Sequence, residues 1–233
     1  MKLNNSQEVF LRLLRAGLWE IDISLSTAEA IDIEEIYQIA QEQSVIGLIA
    51  GGLEHAKEHN VSQNFVLQII GQALQLEQRN ISMNSFIGAL IDKMRCDGFY
   101  TLLIKGQGVA KCYEKPLWRA CGDIDFLLSD DNYQKAVSFL KPLATHIDEE
   151  NAYSKYLALS IENWEVELHG TMRTGLWKHL DKVLDDIQND IFYCGNVRSW
   201  MNGNTQVFLP KADEDVVYVF AHILNIFIKR VWV

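Results

Sequence analysis

Apolar residues recur at helical spacing through roughly the first hundred positions. Val9, Phe10, Leu13, Leu14 and Leu18 share one face behind Ser6, which can cap the helix they define. Asp32 can cap a second helix carrying Ile36, Ile39 and Ala40. Ser62 can cap a long third one, whose apolar positions Phe65, Ile69, Ala73 and Leu76 continue to Ile87, Leu90 and Met94. The period changes at Gly98. Residues 99–104 form a short apolar, aromatic and β-branched run typical of a buried strand. A glycine turn and a short helix follow, then an apolar strand at 124–128 and a helix at 130–140 with an acidic start. Strands are expected at 153–161 and Trp164–His169, and a hairpin over 192–209 turns at Asn202-Gly203. Asp213 can cap a last helix through Val216, Val217, Phe220 and Ile223.

This order predicts an α+β protein in which a mixed sheet is flanked by helices. The expected parts are a helical N-terminal region over 1–97, an α+β domain over 98–210, and the start of a C-terminal helical region over 211–233. The last residues, 226–233, are an apolar segment with no cap, glycine or polar tail, which predicts a truncated C-terminal region and a chain that is a fragment.

Composition narrows the picture little. Of 233 residues, 48% are hydrophobic and 22% charged, an ordinary globular balance that excludes a disordered or fibrous chain. Charge is more informative: 21 Lys and Arg against 31 Asp and Glu give a formal net charge of -10, which disfavours non-specific nucleic-acid binding. Cys96, Cys112, Cys121 and Cys194 show neither C-x-x-C pairing nor regular spacing, so they read as reduced thiols rather than as a zinc site or a disulfide framework. No signal peptide opens the chain and no stretch reaches the roughly 20 apolar residues of a membrane span, so a cytoplasmic location without membrane partners is expected.

Two D-x-D triplets stand in different company. Asp213-Glu214-Asp215 follows Pro210 at a helix start, where acids cap free N–H groups, and reads as structural. Asp123-Ile124-Asp125 opens an apolar strand, which puts Asp123 and Asp125 on one face with Ile124 and Phe126 on the other. Two carboxylates so placed repel each other unless cations neutralise them, and they suit metal ions about 3.5–4 Å apart. Upstream, Lys105-Gly106-Gln107-Gly108 follows a strand in a turn whose backbone N–H groups suit a phosphate. Residues 105–119 also hold Lys105, Lys111, Lys115 and Arg119 against the single acid Glu114. Downstream, Trp164–His169 alternates, with Glu165, Glu167 and His169 on its polar face. Glu167 can supply a third carboxylate beside Asp125, as metal ligand or general base.

The series of a strand, Lys105-Gly106, Tyr113, Pro116, Arg119, Gly122-Asp123-Ile124-Asp125-Phe126-Leu127-Leu128 and a later strand with Glu167 and His169 resembles the polymerase-β-like nucleotidyltransferase superfamily. In particular it resembles the bacterial group known as uncharacterised nucleotidyltransferases. The resemblance covers roughly residues 98–170. It implies a nucleotidyltransferase-like mixed sheet, Mg²⁺ or Mn²⁺ held by Asp123, Asp125 and Glu167, and an NTP whose triphosphate meets Gly106; from the turn and the basic run, Lys105, Gln107 and Arg119 are expected at the nucleotide as well. Where the superfamily turn is commonly Gly-Gly or Gly-Ser, Gly106 is followed here by Gln107, so a hydroxyl that would touch phosphate is missing. The expected reaction is transfer of NMP from NTP to a hydroxyl on an unknown small-molecule or protein acceptor. A nucleotide-binding module without turnover and a metal-dependent phosphohydrolase are the alternatives.

Other signals carry less. His55-Ala56-Lys57-Glu58-His59 fits the H-x-x-E-H pattern of zinc peptidases, but it lies in a polar helix end with no evident third ligand. Tyr113 and Trp118 can stack on a nucleobase but are expected to pack instead.

Overall fold

The computed structural model describes residues 3–25, 32–57 and 61–231. They form two compact units, one of residues 1–82 with 110–121, the other of residues 83–109 with 122–233. The division therefore falls inside a long helix rather than at residue 97.

The first unit is helical. Its α1 (Asn5–Trp19) is capped by Asn4 rather than Ser6, because Asn4 forms a reciprocal capping box with Gln7. Ser6 is buried instead, and its hydroxyl accepts from the Asp32 backbone N–H at 2.9 Å. A two-residue strand β1 (Ile23–Ser24) pairs in parallel with β2 (Ala56–Lys57). Between them lie α2 (Ile33–Glu42), capped as expected by the Asp32 carboxylate, and α3 (Ile46–Glu54). The first part of α4 (Gln63–Cys96) completes the unit, its start capped by Ser62. Leu13, Ile36, Ile49, Phe65 and Ile69 make its core.

That α3 forms at all is a tertiary effect. Its sequence holds Gly47, Gly51 and Gly52, each costing about 1 kcal/mol in helix propensity. A Cβ on Gly52 would collide with the Leu13 backbone, and one on Gly17 with the Leu48 carbonyl, so α1 and α3 touch main chain to main chain.

The second unit is built on a mixed seven-stranded sheet of order β5-β6-β7-β4-β3-β9-β8. In chain order these are β3 (Leu102–Ile104), β4 (Asp123–Leu127), β5 (His146–Ile147), β6 (Tyr156–Ile161), β7 (Trp164–His169), β8 (Val197–Asn202) and β9 (Thr205–Pro210). The helices are the second half of α4, a single turn α5 (Gly106–Ala110), α6 (Asp130–Leu140), α7 (Lys178–Cys194) and α8 (Ala212–Val231). One strand is shorter than expected, since residues 99–101 stay outside β3. The predicted hairpin begins only at Val197, because Phe192 belongs to α7.

Alternation divides the sheet into two faces. On one, Leu102, Ile104 and Leu127 pack with Leu184 and Ile191 of α7 and Tyr218 and Ala221 of α8. On the other, Trp164 meets Phe86 of α4 at 6.4 Å between rings, and α6 packs against β7. Asp123 and Asp125 share the Leu127 face, the side covered by α7 and α8. Among the described residues no helix is long and apolar enough to cross a membrane.

Candidate active site

Strand β4 lies between β3, antiparallel to it, and β7, parallel to it. The register sets Asp125 opposite Ile104 on one side and Glu167 on the other, with Asp123 opposite Glu165. Since side chains alternate, Asp123, Asp125, Glu165, Glu167 and His169 all rise from the same face. Depth separates them: Asp125 is 1% exposed and Glu167 is half-buried, whereas Glu165 is exposed and accepts from the Ser160 hydroxyl at 2.6 Å.

The chain leaves β3 through Lys105, at φ 54°, and Gly106, at φ 31°. A left-handed conformation costs a side-chain-bearing residue about 1–2 kcal/mol, and at Lys105 it aims the ammonium back over the sheet. Lys105 Nζ lies 2.6 Å from Asp125 Oδ1 and 3.9 Å from Glu167 Oε2. A Cβ on Gly106 would meet the Asp123 carbonyl at 3.3 Å, so the turn sits close against the start of β4.

His169 Nε2 lies 2.9 Å from Asp125 Oδ1 and 3.2 Å from Glu167 Oε2, bridging the two carboxylates. The Tyr156 hydroxyl donates to Glu167 Oε1 at 2.8 Å, an approach made possible by β6 pairing Tyr156 with His169. Asp125 Oδ2 is buried and has no hydrogen-bond partner. Ligand atoms of Asp125, Glu167 and His169 all fall within 4.8 Å of one another.

The charges respond accordingly. Burial pushes the Asp123 carboxyl up, and the negative charges of Asp125 and Glu167 push it further, against a weaker pull from Lys105. Burial also opposes ionisation of Asp125, but the His169 hydrogen bond and the Lys105 charge outweigh it and hold the carboxyl well below the ordinary range. Burial pulls the His169 imidazole down, and bonds to Asp125 and Glu167 more than offset that, for a net rise. The phenol of Tyr218 is raised by burial and then by the field of Asp125 and Glu167, and His222 is lowered by burial and then by Lys105. Helix α8 thus lines the electrostatic neighbourhood of the carboxylates.

Residues 29–230 match the model of a family described as uncharacterised nucleotidyltransferase. The chain belongs to this family. Its mixed sheet flanked by helices is consistent with a nucleotidyltransferase-like fold. No curated protein and no solved structure matches the chain.

Within this nucleotidyltransferase framework the other candidate residues take varied positions. Gln107 is buried, its amide directed at Met83 Sδ at 3.5 Å, so its side chain serves the interior. Arg119 belongs to the helical unit, where its guanidinium donates to Cys121 Sγ at 3.0 Å and lies 5.8 Å from the centre of the Tyr113 ring. The basic run is largely engaged, with Lys105 on Asp125 and Lys115 on Glu54. Trp118 packs in the helical unit and donates its indole N–H to Glu77 at 2.6 Å. His55 pairs with Asp22 and Glu114, while Glu58 and His59 of the zinc-like motif lie outside the described residues. His169 and Tyr156 were not assigned a site role from the sequence. The alternation of β7 already placed His169 on the Glu167 face, but nothing in the sequence tells which residue of β6 would face it.

Proposed function

We propose that this chain transfers a nucleoside monophosphate from an NTP to a hydroxyl acceptor, at a divalent-cation site formed by Asp123, Asp125 and Glu167. The observation that carries the reading is the Asp125–Glu167 register, with Asp125 Oδ2 buried and unpartnered beside two further acids. Three carboxylates share the Lys105 ammonium and the His169 imidazole, and Asp123, raised first by burial, is raised further by the negative charges of Asp125 and Glu167. Hard oxygen donors in this arrangement fit Mg²⁺ or Mn²⁺.

Bound there, such an ion supplies charge neutralisation and polarisation of phosphoryl oxygens. The remaining work falls to the chain. Asp123 and Asp125 hold the cation from one strand, and Glu167 holds it from the next or accepts the acceptor's proton. His169 and Tyr156 fix Glu167 in orientation, each through a hydrogen bond. Lys105 carries positive charge at the turn, whose backbone N–H groups suit a triphosphate. With its amide buried, Gln107 offers the nucleotide its main chain.

The test is incubation with α-labelled ATP, GTP, CTP or UTP and Mg²⁺ or Mn²⁺ in a cell extract that provides acceptors. Label transfer with pyrophosphate release is expected. Release of inorganic phosphate would identify a phosphohydrolase, and tight metal-dependent binding without turnover would identify a nucleotide-binding module; either result overturns the proposal.

A further inference from the structure

The second unit holds two cavities that meet, away from the carboxylates. One, of about 350 Å³, lies under Tyr100, Leu102, Ile191, Val197 and Phe208. The other, of about 300 Å³, is lined by Lys155, Arg173, Asp130, Asp185 and Gln188 among others. Ser129, Phe192 and Tyr193 line both, so the two form one cleft with an apolar half and a polar half. It opens past the C-terminal ends of β4 and β7, where Ser129 and Thr171 leave the sheet, whereas Asp123 stands at the other end of β4. Leu127, Met172, Leu184 and Tyr218 are packed between the sheet and the helices on the intervening face.

Three features select a ligand. The apolar half is walled by aromatic rings, with Tyr100 58% and Tyr193 69% exposed at its margin, which suits a flat aromatic body. Its wall includes Thr101, which is 4% exposed and whose buried Oγ1 has no hydrogen-bond partner. A buried hydroxyl left unmatched costs about 1–3 kcal/mol, a cost that a ligand heteroatom would relieve once the hydroxyl turns to the cleft. The polar half is balanced in charge: Lys155 Nζ lies 2.8 Å from Asp130, and Arg173 grips Asp185 through two bonds of 2.6 Å. No spare cation faces the cleft from these pairs, which argues against a polyphosphate. Asp and Asn groups beside paired cations instead suit several hydroxyls.

We infer that this cleft binds an uncharged aromatic ligand bearing a polyhydroxylated end, the chemistry shared by aryl glycosides and nucleosides, at a site separate from the carboxylates. The aromatic body fills the Tyr100–Phe208 half against Thr101, and the hydroxyls meet Asn189 and the outer side of the Asp185 carboxylate, while Gln188, held by the Met172 N–H and the Gly170 carbonyl, shapes the wall.

The experiment titrates the whole chain with adenosine and, separately, with 4-methylumbelliferyl β-D-glucoside, by calorimetry and by fluorescence. Saturable binding of at least one is expected, and which one binds identifies the source. Tyr193→Ala, an exposed change that spares the core, should weaken it at least about fivefold, the order expected for loss of an aromatic contact. Thr101→Val should weaken binding without lowering Tm. Asp125→Asn should leave it unchanged, and Mg²⁺-ATP should not compete. Absence of saturable binding by both probes, indifference to Tyr193→Ala, or loss of binding in Asp125→Asn would overturn the inference.

Discussion

The same triplet, an aspartate on each side of one residue, occurs twice in the second unit and comes to opposite ends. Asp213-Glu214-Asp215 occupies the first turn of α8, where Glu214 accepts from the Lys211 N–H and Asp215 is bound by Arg198 at 2.7 Å. Asp123-Ile124-Asp125 opens β4, facing Glu165 and Glu167 of the next strand. Burial raises both Asp123 and Asp215 as the leading cause. The next cause has opposite sign: for Asp215 it is a cation, which lowers, and for Asp123 it is other carboxylates, which raise. A helix start answers acids with its own N–H groups and nearby bases. A strand pair in this register gathers acids faster than it answers them, and the surplus is what marks a cation site.

The largest effect that can break this contrast is on ligand binding. Asp123→Asn with Asp125→Asn should reduce Mg²⁺-ATP affinity at least about 100-fold, since even partners of metal ligands are worth 10–100-fold. The fold should survive, because Lys105 retains Glu167 at 3.9 Å and His169 retains it at 3.2 Å. Calorimetry on the double variant decides it, and unchanged affinity would remove the reason for treating the two triplets differently.

Next comes metal alone. Mg²⁺ at about 100 times its Kd should stabilise the protein by about 2.7 kcal/mol, read as a Tm several degrees higher. Glu167→Gln should abolish most of that rise and Glu165→Gln should keep it, because only Glu167 stands beside Asp125 and below the surface. Equal responses of the two variants would show that the register does not choose between them.

The parts of this contrast that sequence reasoning reached are those with a strict period. Strand β7 was delimited at both ends by alternation, and the placement of Asp123 and Asp125 on one face follows from spacing alone. Of helix α3 the sequence showed only a polar end, placed over residues 55–59, whereas the helix stops at Glu54 and Ala56–Lys57 form β2; its glycines argue against a helix, and only the contact with α1 explains them. Helix α7 escaped because nothing announces its start: Trp177 stands at the N-cap position and makes no side-chain cap bond, although Leu180, Leu184, Ile187 and Ile191 recur at helical spacing. The site's hidden half has a different cause. The Lys105 contact with Asp125 and the Tyr156 bond to Glu167 both depend on strand pairing. Which strand neighbours which is a tertiary fact that no local pattern encodes.

A smaller effect tests the structural triplet. Asp215→Ala removes the carboxylate from Arg198, which keeps its bonds to the Pro210 and Gly108 carbonyls and is partly open to water. The expected loss is about 1–2 kcal/mol in chemical denaturation, the scale of a charged hydrogen bond with partial rehydration. Mg²⁺-ATP affinity should not move. A loss of binding comparable to that of the β4 variant would mean that α8 carries chemistry after all.

The smallest effect is in pH. Asp215 has one oxygen on Arg198, but Oδ1 is buried without a partner, so burial prevails and the carboxyl titrates above the ordinary aspartate value of about 4. As pH rises from about that value, the unfolded chain releases this proton before the folded one does. The folded state then binds more protons, so the stability this group contributes falls with pH across the window and is constant beyond it. Asp215→Asn has no proton to lose. Its stability relative to wild type should therefore improve as pH climbs from about 4 until the folded carboxyl has ionised, and then level off. Denaturation at a series of pH values between acid and neutral reads this directly. A gap that instead widens against the variant with rising pH would mean that the Arg198 ion pair outweighs burial, and that the charges of this triplet are fully answered within the fold.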